Sequence, residues 1–191
     1  MKIILDNINV SYKDKIVIKD FSYTFENEGR YVIRGASGSG KTTLIKTVMG
    51  LKKVSEGKIT FDEKPVFSAV FQEDRLIENI SPVTNIAITS PEVPEEKIRN
   101  ELACLLPKEV LDHKVSELSG GMKRRVCIVR AVLSASNILI LDEPLTGLDE
   151  TNQKIVLKYI SEHLNGRILI AASHSDLFTD YGSTIILREN I

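Results

Sequence analysis

One glycine-rich segment, GASGSGKT at 35–42, constrains the fold of this chain more than any other stretch of its sequence. It fits the pattern G-x-x-x-x-G-K-[ST], which needs a strand before it and a helix after it. The apolar run RYVIR at 30–34 supplies the strand, and Lys41–Met49 predicts a helix with Gly50 as its C-terminal cap. Glycines let successive backbone N–H groups surround an anion, so the segment predicts a phosphate-binding loop in an α/β domain.

We expect this loop to bind the phosphates of a nucleotide. The Lys41 ammonium can reach the β- and γ-phosphates, and the Thr42 hydroxyl can bind Mg²⁺. A flexible Gly/Ser loop without a ligand is the alternative, which the strand–loop–helix context opposes. The residues predicted to contact the nucleotide are Gly35, Ala36, Ser37, Gly38, Ser39, Gly40, Lys41, Thr42 and Thr43.

Two carboxylates close the apolar run ILILDEP at 138–144, which has the composition of a buried parallel strand. Ligands of open α/β sheets sit at this end of the strands. Asp142 is suited to hold Mg²⁺, and Glu143 can orient and deprotonate an attacking water. The alternative is a solvated strand end followed by a turn. His174 closes another apolar strand, and its chemistry alone leaves a structural role and a γ-phosphate contact equally open.

The rest of the chain predicts two further kinds of structure. Alternating residues before position 30 indicate antiparallel strands joined by a turn at 13–15. Prolines and helical periodicity after Glu73 indicate a small helical lobe, which ends with an amphipathic helix at 119–133. We therefore predict one domain over 1–191: an α/β P-loop NTPase core with a mainly parallel sheet, an N-terminal antiparallel β subdomain and a helical subdomain inserted at about 73–134. Further strands are predicted at 58–62, 66–72, 167–173 and 183–188, and a further helix at 151–164. The apolar side of the amphipathic helix carries Val126, Val129 and Leu133.

Charge and composition exclude some classes of function. The 25 basic and 26 acidic residues leave a net charge of -1, so the chain lacks the positive field of a nucleic-acid-binding protein. Cys104 and Cys127 lack the spacing of a metal site and are expected to be reduced, partly buried thiols. No apolar run approaches the ~18 residues that cross a bilayer. We therefore expect any membrane role to depend on a partner.

The order of five motifs resembles the nucleotide-binding subunit of ATP-binding cassette (ABC) transporters over essentially the whole chain. The motifs are GASGSGKTT, FQED, ELSGGMKRRV, NILILDEPLTGLD and AASH, and LSGG ahead of an LDEP segment is the most specific of them. Cassettes of this family pair head to tail, with each ATP between the phosphate loop of one subunit and the LSGG of the other. The resemblance implies that Ser119, Gly120 and Gly121 face the γ-phosphate of ATP held by a second cassette. We expect that cassette to be a second copy of this chain, although the sequence leaves a different partner cassette open.

The resemblance also implies roles for four single residues. Tyr12 would stack on adenine, although an aromatic packed on a neighbouring strand is the alternative for it. Gln72 would link Mg²⁺ and the attacking water to the helical lobe. Asp149 would lie in the loop that touches the opposite subunit, and His174 would be the switch histidine at the γ-phosphate.

Some residues differ from those that are common in this family, and one segment resembles a particular group of importers within it. Met122 stands where the family commonly has glutamine, and Ser175 replaces a frequent aspartate. The chain is short for the family, so we expect it to lack the C-terminal regulatory extension of some importer ATPases. The segment VFQEDRL at 70–76, with SPVTNIAI at 81–88, is similar to the ATPases of nitrate, sulfonate and taurine-type importers.

The function that the resemblance implies is an ATP-hydrolysing motor subunit, using ATP and Mg²⁺, that drives the import of a small solute. Its expected partners are a second cassette, transmembrane permease subunits and a substrate-binding protein, with no nucleic acid. It would be cytoplasmic and peripheral, held at the inner face of the cell membrane through the permease. One alternative is a soluble ABC ATPase that is not coupled to transport. A third interpretation is a binding module that does not hydrolyse ATP. The presence of Glu143 and His174 argues against it.

Overall fold

The computed structural model describes residues 1–13, 15–178 and 181–187. In chain order, the strands are β1 (Ile3–Tyr12), β2 (Lys15–Phe25), β3 (Arg30–Arg34), β4 (Glu56–Phe61), β5 (Phe67–Val70), β6 (Ile138–Asp142), β7 (Ile168–Ala172) and β8 (Ser183–Ile186). The α-helices are α1 (Lys41–Val48), α2 (Pro82–Thr89), α3 (Glu95–Ala103), α4 (Gly120–Leu133) and α5 (Glu150–Glu162).

The chain forms two compact units. The first comprises 1–67, 136–142 and 166–191, and the second comprises 68–135 and 143–165. The helical segment expected at about 73–134 falls within the first stretch of the second unit. The assignment of 1–191 to a single domain with that segment as an insertion remains a prediction.

An antiparallel sheet begins the first unit. Strand β1 pairs with β2 on one side and with β4 on the other, both antiparallel. Along β1, Ile3, Leu5, Ile8 and Val10 are buried, as expected for a strand with one face on the core. The N-terminal antiparallel β structure predicted from the alternating sequence is thereby confirmed.

A parallel sheet forms the core of the first unit. Strand β7 lies between β6 and β3, and β3 also pairs with β8, all in parallel. Every residue of β6 and β7 is buried, which explains their uninterrupted apolar sequences. In the register, Ala172 pairs with both Asp142 and Ile33, so β6, β7 and β3 end at one edge of the sheet. The predicted α/β class with a parallel core is confirmed.

Helix α1 follows β3 through the glycine-rich loop and packs Leu44, Ile45 and Val48 into the core. The helix ends one residue earlier than predicted, because Met49 is its C-cap. Gly50 comes next with φ 72, and its N–H donates to the Thr47 carbonyl at 3.0 Å. Glycine is favoured there because this left-handed conformation disfavours a side chain.

The second unit contains helices α2 to α5. Helix α2 begins where the Ser81 hydroxyl accepts a hydrogen bond from the Thr84 N–H at 3.1 Å, with proline in the first helical position. The sequence predicts helix α5 at 151–164. It starts one residue earlier and ends two residues earlier, because the backbone of His163 is no longer helical. Among the residues described, no helix combines the length and hydrophobicity needed to cross a membrane.

Two predictions about burial need correction in this unit. Val126 and Val129 of α4 are fully buried as predicted, but Leu133 is only half-buried because it lies in the last turn, where Val132 takes the inward position. Cys127 is buried, whereas Cys104 is exposed because it follows the last turn of α3. Both cysteines are free thiols.

Candidate functional site

The phosphate loop of the first unit requires glycine at two positions for different reasons. Gly40 is the N-cap of α1 with φ 99, and Val17 of β2 lies where its side chain would be. At Gly35 a Cβ would overlap the Ser39 hydroxyl. Glycine is therefore needed at position 40 for its positive φ and at position 35 because another part of the loop approaches closely.

The side chain of Lys41 is held over this loop by carbonyl groups of the loop backbone. Its side chain is buried, and Nζ donates to the carbonyl oxygens of Gly35 at 2.9 Å and Ala36 at 3.0 Å. Lys41 is also the first residue of α1, whose first N–H groups have no partners within the helix. An ammonium and a helix N-terminus on one loop form a site for an anion such as a phosphate group.

Thr42 and Asp142 bring two oxygen donors together next to this loop. The Thr42 hydroxyl donates to Asp142 Oδ1 at 3.2 Å, and Asp142 is 2% exposed. Hard oxygen donors of this kind fit Mg²⁺, which usually binds one or two protein groups together with substrate phosphates. Within 1–13, 15–178 and 181–187 no cluster of three or more His, Cys, Asp or Glu side chains could enclose a metal. The donor set therefore fits a metal shared with phosphates.

Glu143 follows Asp142 directly in the chain and has an unusual backbone. Its φ is 50, a region that residues other than glycine seldom adopt, and its side chain is half-buried. Its carbonyl accepts a hydrogen bond from the Thr146 N–H at 3.3 Å. Such conformations cost free energy and often occur at functional sites, and Glu143 shares the positive φ with six other non-glycine residues among those described.

His174 lies two residues beyond β7, at the sheet edge where β3 and β6 also end, and it is exposed. A turn carries it: the Ser173 hydroxyl accepts from the Ser175 N–H at 3.1 Å. The hydroxyl of Ser175 in turn accepts from Leu177 N–H at 3.3 Å, so the serine at this position stabilises the turn.

An ion pair that the sequence did not predict joins the phosphate loop to this turn. Nη2 of Arg34, the residue before Gly35, donates to Asp176 Oδ1 at 2.6 Å. The two residues are 142 positions apart. The sequence signal for this pair is weak: Arg34 is a charged residue at the end of an apolar strand.

Tyr12 is the last residue of β1, and 46% of it is exposed. Part of the ring is therefore accessible to a ligand, and stacking on adenine stays a prediction beside the alternative of an aromatic packed on a neighbouring strand. The Lys52 ammonium lies 4.0 Å from the ring centroid, a cation–π contact that sequence reasoning missed.

The signature loop, Ser119–Gly121, belongs to the second unit. The Ser119 hydroxyl caps α4 by accepting from Met122 N–H at 3.3 Å, so residue 122 contributes its backbone here. Gly120 is exposed, and a Cβ on it would meet no atom within 4 Å. A Cβ on Gly121 would lie 3.3 Å from the Gly147 carbonyl oxygen, so glycine permits the close approach of these two loops.

Asp149 caps α5 beside the signature loop. Its carboxylate accepts from the backbone N–H of Asn152 at 2.9 Å and from the side-chain amide of Asn152 at 2.7 Å, and these hydrogen bonds lower the pKa of Asp149. Nη1 of Arg125 donates to Asn152 Oδ1 at 3.0 Å, while its Nε donates to the Gly121 carbonyl at 3.2 Å. Arg125, which the sequence analysis did not single out, thereby connects the signature loop to the Asp149 cap.

The predicted residues thus lie in both units, with Tyr12 in the first and Glu143 in the second. The first unit gathers the phosphate loop, Thr42 and Asp142, and brings His174 to the same sheet edge. The second unit holds the signature loop beside Asp149. Gln72, also in the second unit, is exposed, and its carbonyl accepts from Arg124 Nη2 at 2.5 Å.

Comparison with known proteins places these features in a family. Residues 18–146 match the family model described as ABC transporter. The spermidine/putrescine import ATP-binding protein PotA of Aggregatibacter actinomycetemcomitans is 35% identical in an alignment 160 positions long, which covers 76% of this chain and 43% of that protein. The glucose import ATP-binding protein GlcV of Saccharolobus solfataricus is 34% identical in an alignment 205 positions long, which covers 93% of this chain and 58% of that protein. The chain spans about half the length of the curated relatives it matches.

Solved structures agree with the sequence comparison. The dimeric structure of MJ0796, described as a bacterial ABC transporter cassette, superposes with a TM-score of 0.84 at 25% identity. The match covers 97% of this chain and 94% of that one, which confirms the predicted P-loop cassette fold. The chain belongs to the ABC transporter family.

Proposed function

We propose that this chain is the ATP-hydrolysing cassette of an ABC transporter. The observation that carries the proposal is the arrangement around the phosphate loop, where Lys41, Thr42 and Asp142 provide a cation and two hard oxygen donors. Nucleotide binding at such a loop requires Lys41 to exchange loop carbonyls for phosphate oxygens. Thr42 and Asp142 would hold Mg²⁺, which supplies neutralisation of phosphate charge when bound.

Three side chains have proposed roles in hydrolysis. Glu143 orients the attacking water and accepts its proton. His174 donates a hydrogen bond to the γ-phosphate, a role that its place at the sheet edge supports. The Gln72 side-chain amide links the metal and the water to the helical part of the chain.

We further propose that two copies of this chain pair head to tail around two ATP molecules. The signature loop supports this arrangement, because Ser119 and Gly120 are exposed at the N-terminus of the 14-residue helix α4. Backbone N–H groups and the helix dipole favour an anion there. That anion is the γ-phosphate of ATP bound to the partner, and Asp149 lies in the loop that meets the partner.

The names of the relatives support a proposal about the physiological role. The relatives PotA and GlcV are named as import ATP-binding proteins. We propose that this chain likewise drives the import of a small solute, docked on permease subunits at the inner face of the membrane, with a substrate-binding protein delivering the solute. The likeness to nitrate, sulfonate and taurine-type ATPases in 70–76 and 81–88 remains a hypothesis about that solute.

Three measurements test this function. The purified chain should hydrolyse ATP in a Mg²⁺-dependent manner, and it should co-purify with a polytopic membrane protein encoded beside its gene. Addition of the transported solute to that complex should stimulate hydrolysis. Hydrolysis by the purified chain combined with failure to co-purify with a membrane protein would favour the soluble ABC ATPase instead. Absence of hydrolysis from the complex would contradict the motor role.

Tyr12→Ala should weaken ATP binding about three- to tenfold, which is the range expected for loss of one aromatic stacking contact. Tyr12→Phe is the matched control, since it keeps the ring and should keep most of the affinity. The measurement is a nucleotide titration of each variant at dilute protein. Equal dissociation constants for the alanine and phenylalanine variants would return Tyr12 to a structural role.

A further inference from the structure

Helix α4 holds the main chain of a neighbouring segment, residues 71–75, through side chains on one of its faces. Arg124 is buried at 5% exposure, and its two terminal nitrogens donate to consecutive carbonyls, Phe71 and Gln72, each at 2.5 Å. Its Nε lies 3.3 Å from Asp74 Oδ1. One guanidinium therefore contacts the segment at three points and fixes the backbone on which Gln72 is carried.

Two more residues of α4 extend this contact along the 71–75 segment. The buried Cys127 thiol donates to the Asp74 carbonyl at 2.8 Å. Arg130 Nη1 donates to the Arg75 carbonyl at 2.9 Å. Residues three apart lie on the same side of a helix, so positions 124, 127 and 130 meet the segment together.

The contact at Arg124 is stronger than ordinary packing. Hydrogen bonds from a charged guanidinium to carbonyls are stronger than neutral ones, and a fork of two parallel bonds also fixes direction. Gln72 itself is exposed, so the position of its side chain depends on where the backbone of residue 72 is held. Loss of the guanidinium should displace Gln72 without removing any atom of Gln72.

We propose that Arg124 is a positioning residue for Gln72. Arg124 lies less than two helical turns after Ser119, so the same rigid helix carries the signature loop and the support of Gln72. The inference rests on the proposed function, because the role of Gln72 in hydrolysis is part of that proposal.

The first test is a double-mutant cycle on ATP turnover. Arg124→Lys keeps a positive charge beside Asp74 but cannot hold two carbonyls, so kcat should fall about tenfold, the cost of one lost charged hydrogen bond. KM for ATP should change less than about twofold if ground-state binding is untouched. In a Gln72→Ala background the same substitution should have no further effect on kcat, because the two residues act as one unit.

The second test does not depend on catalysis. In a Cys104→Ser background, Cys127 is the single thiol, and it is protected by burial against the 71–75 segment. Labelling of Cys127 by a maleimide should be at least about tenfold faster in Arg124→Lys, since release of the segment opens the site locally. Arg99→Lys is the matched control: it also loses two-point contacts, to Glu95 and Asp112, on the exposed side of α3.

The outcomes separate the possible failures. An additive effect of Arg124→Lys and Gln72→Ala, or labelling as slow as in wild type and Arg99→Lys, overturns the inference. Fast labelling together with wild-type kcat in Gln72→Ala instead locates the failure in the proposed role of Gln72. Arg124→Gln serves as a second variant if lysine prevents folding. Loss of the folded circular-dichroism spectrum in both variants also overturns the inference, since Arg124 would then be required for the fold itself.

Discussion

Glu143→Gln is expected to reduce ATP turnover by about a hundredfold or more, the range that a general base contributes, while ATP still binds. Glutamine has nearly the shape of glutamate but cannot accept the proton of the attacking water. With hydrolysis stopped, the ATP-bound dimer should persist and elute from gel filtration at twice the monomer mass in ATP and Mg²⁺. Steady-state turnover and gel filtration of the same preparation measure both effects.

An exposed glutamate elsewhere in the chain provides the control for this prediction. Glu96 is exposed in the first turn of α3, and Glu96→Gln should leave turnover unchanged. Turnover near wild type in Glu143→Gln would show that another group accepts the proton. The positive φ of Glu143 would then require a structural explanation instead.

Gly120→Asp is expected to abolish ATP-driven dimerisation and hydrolysis while monomeric ATP binding stays near wild type. The new side chain has space within its own chain, because no atom lies within 4 Å of a Cβ at this position. A carboxylate in the first turn of α4 is also compatible with the helix dipole. Across a head-to-tail interface, however, it would face a γ-phosphate, and like charges held close in a partly dry interface strongly repel.

Two further variants make the Gly120 experiment specific. Gly120→Asn has the same size without the charge and should have a smaller effect. Lys41→Ala removes the cation of the phosphate loop and should weaken ATP binding even in the monomer. Equilibrium binding at dilute protein, with sedimentation in the Glu143→Gln background, separates the two kinds of defect. If a folded Gly120→Asp loses monomeric affinity as Lys41→Ala does, both loops serve one nucleotide in one chain.

Local sequence patterns were sufficient for the elements around the phosphate loop. The glycine spacing at 35–42 predicted a strand, a loop and a helix, and the structure has β3 and α1 there. The run ILILD predicted a buried parallel strand because a strand covered on both faces needs apolar residues at every position. Helix ends were less predictable: α1 ends one residue early, since Met49 as well as Gly50 can adopt a terminal conformation.

Tertiary contacts between distant polar residues could not be predicted in the same way. Arg124 and Arg125 read in the sequence as two basic residues of an amphipathic helix. In the structure, Arg124 is buried against Phe71 and Gln72, whereas Arg125 reaches Asn152. Spacing within α4 fixes which side chains share a face, but the carbonyls they meet come from segments far along the chain. The pairing of Arg34 with Asp176 was hidden for the same reason.

The head-to-tail arrangement is tested most directly by mixing two inactive variants. Lys41→Ala damages the phosphate loop, and Gly120→Asp damages the signature loop. In a mixed head-to-tail dimer, one nucleotide site combines both defects, and the other combines an intact phosphate loop with an intact signature loop. The measurement is ATP turnover of the mixture compared with each variant alone, with differently tagged chains to verify mixed dimers. Head-to-tail pairing predicts that the mixture recovers activity that neither variant has. A mixture as inactive as its two components would contradict it, because each nucleotide would then depend on both loops of one chain.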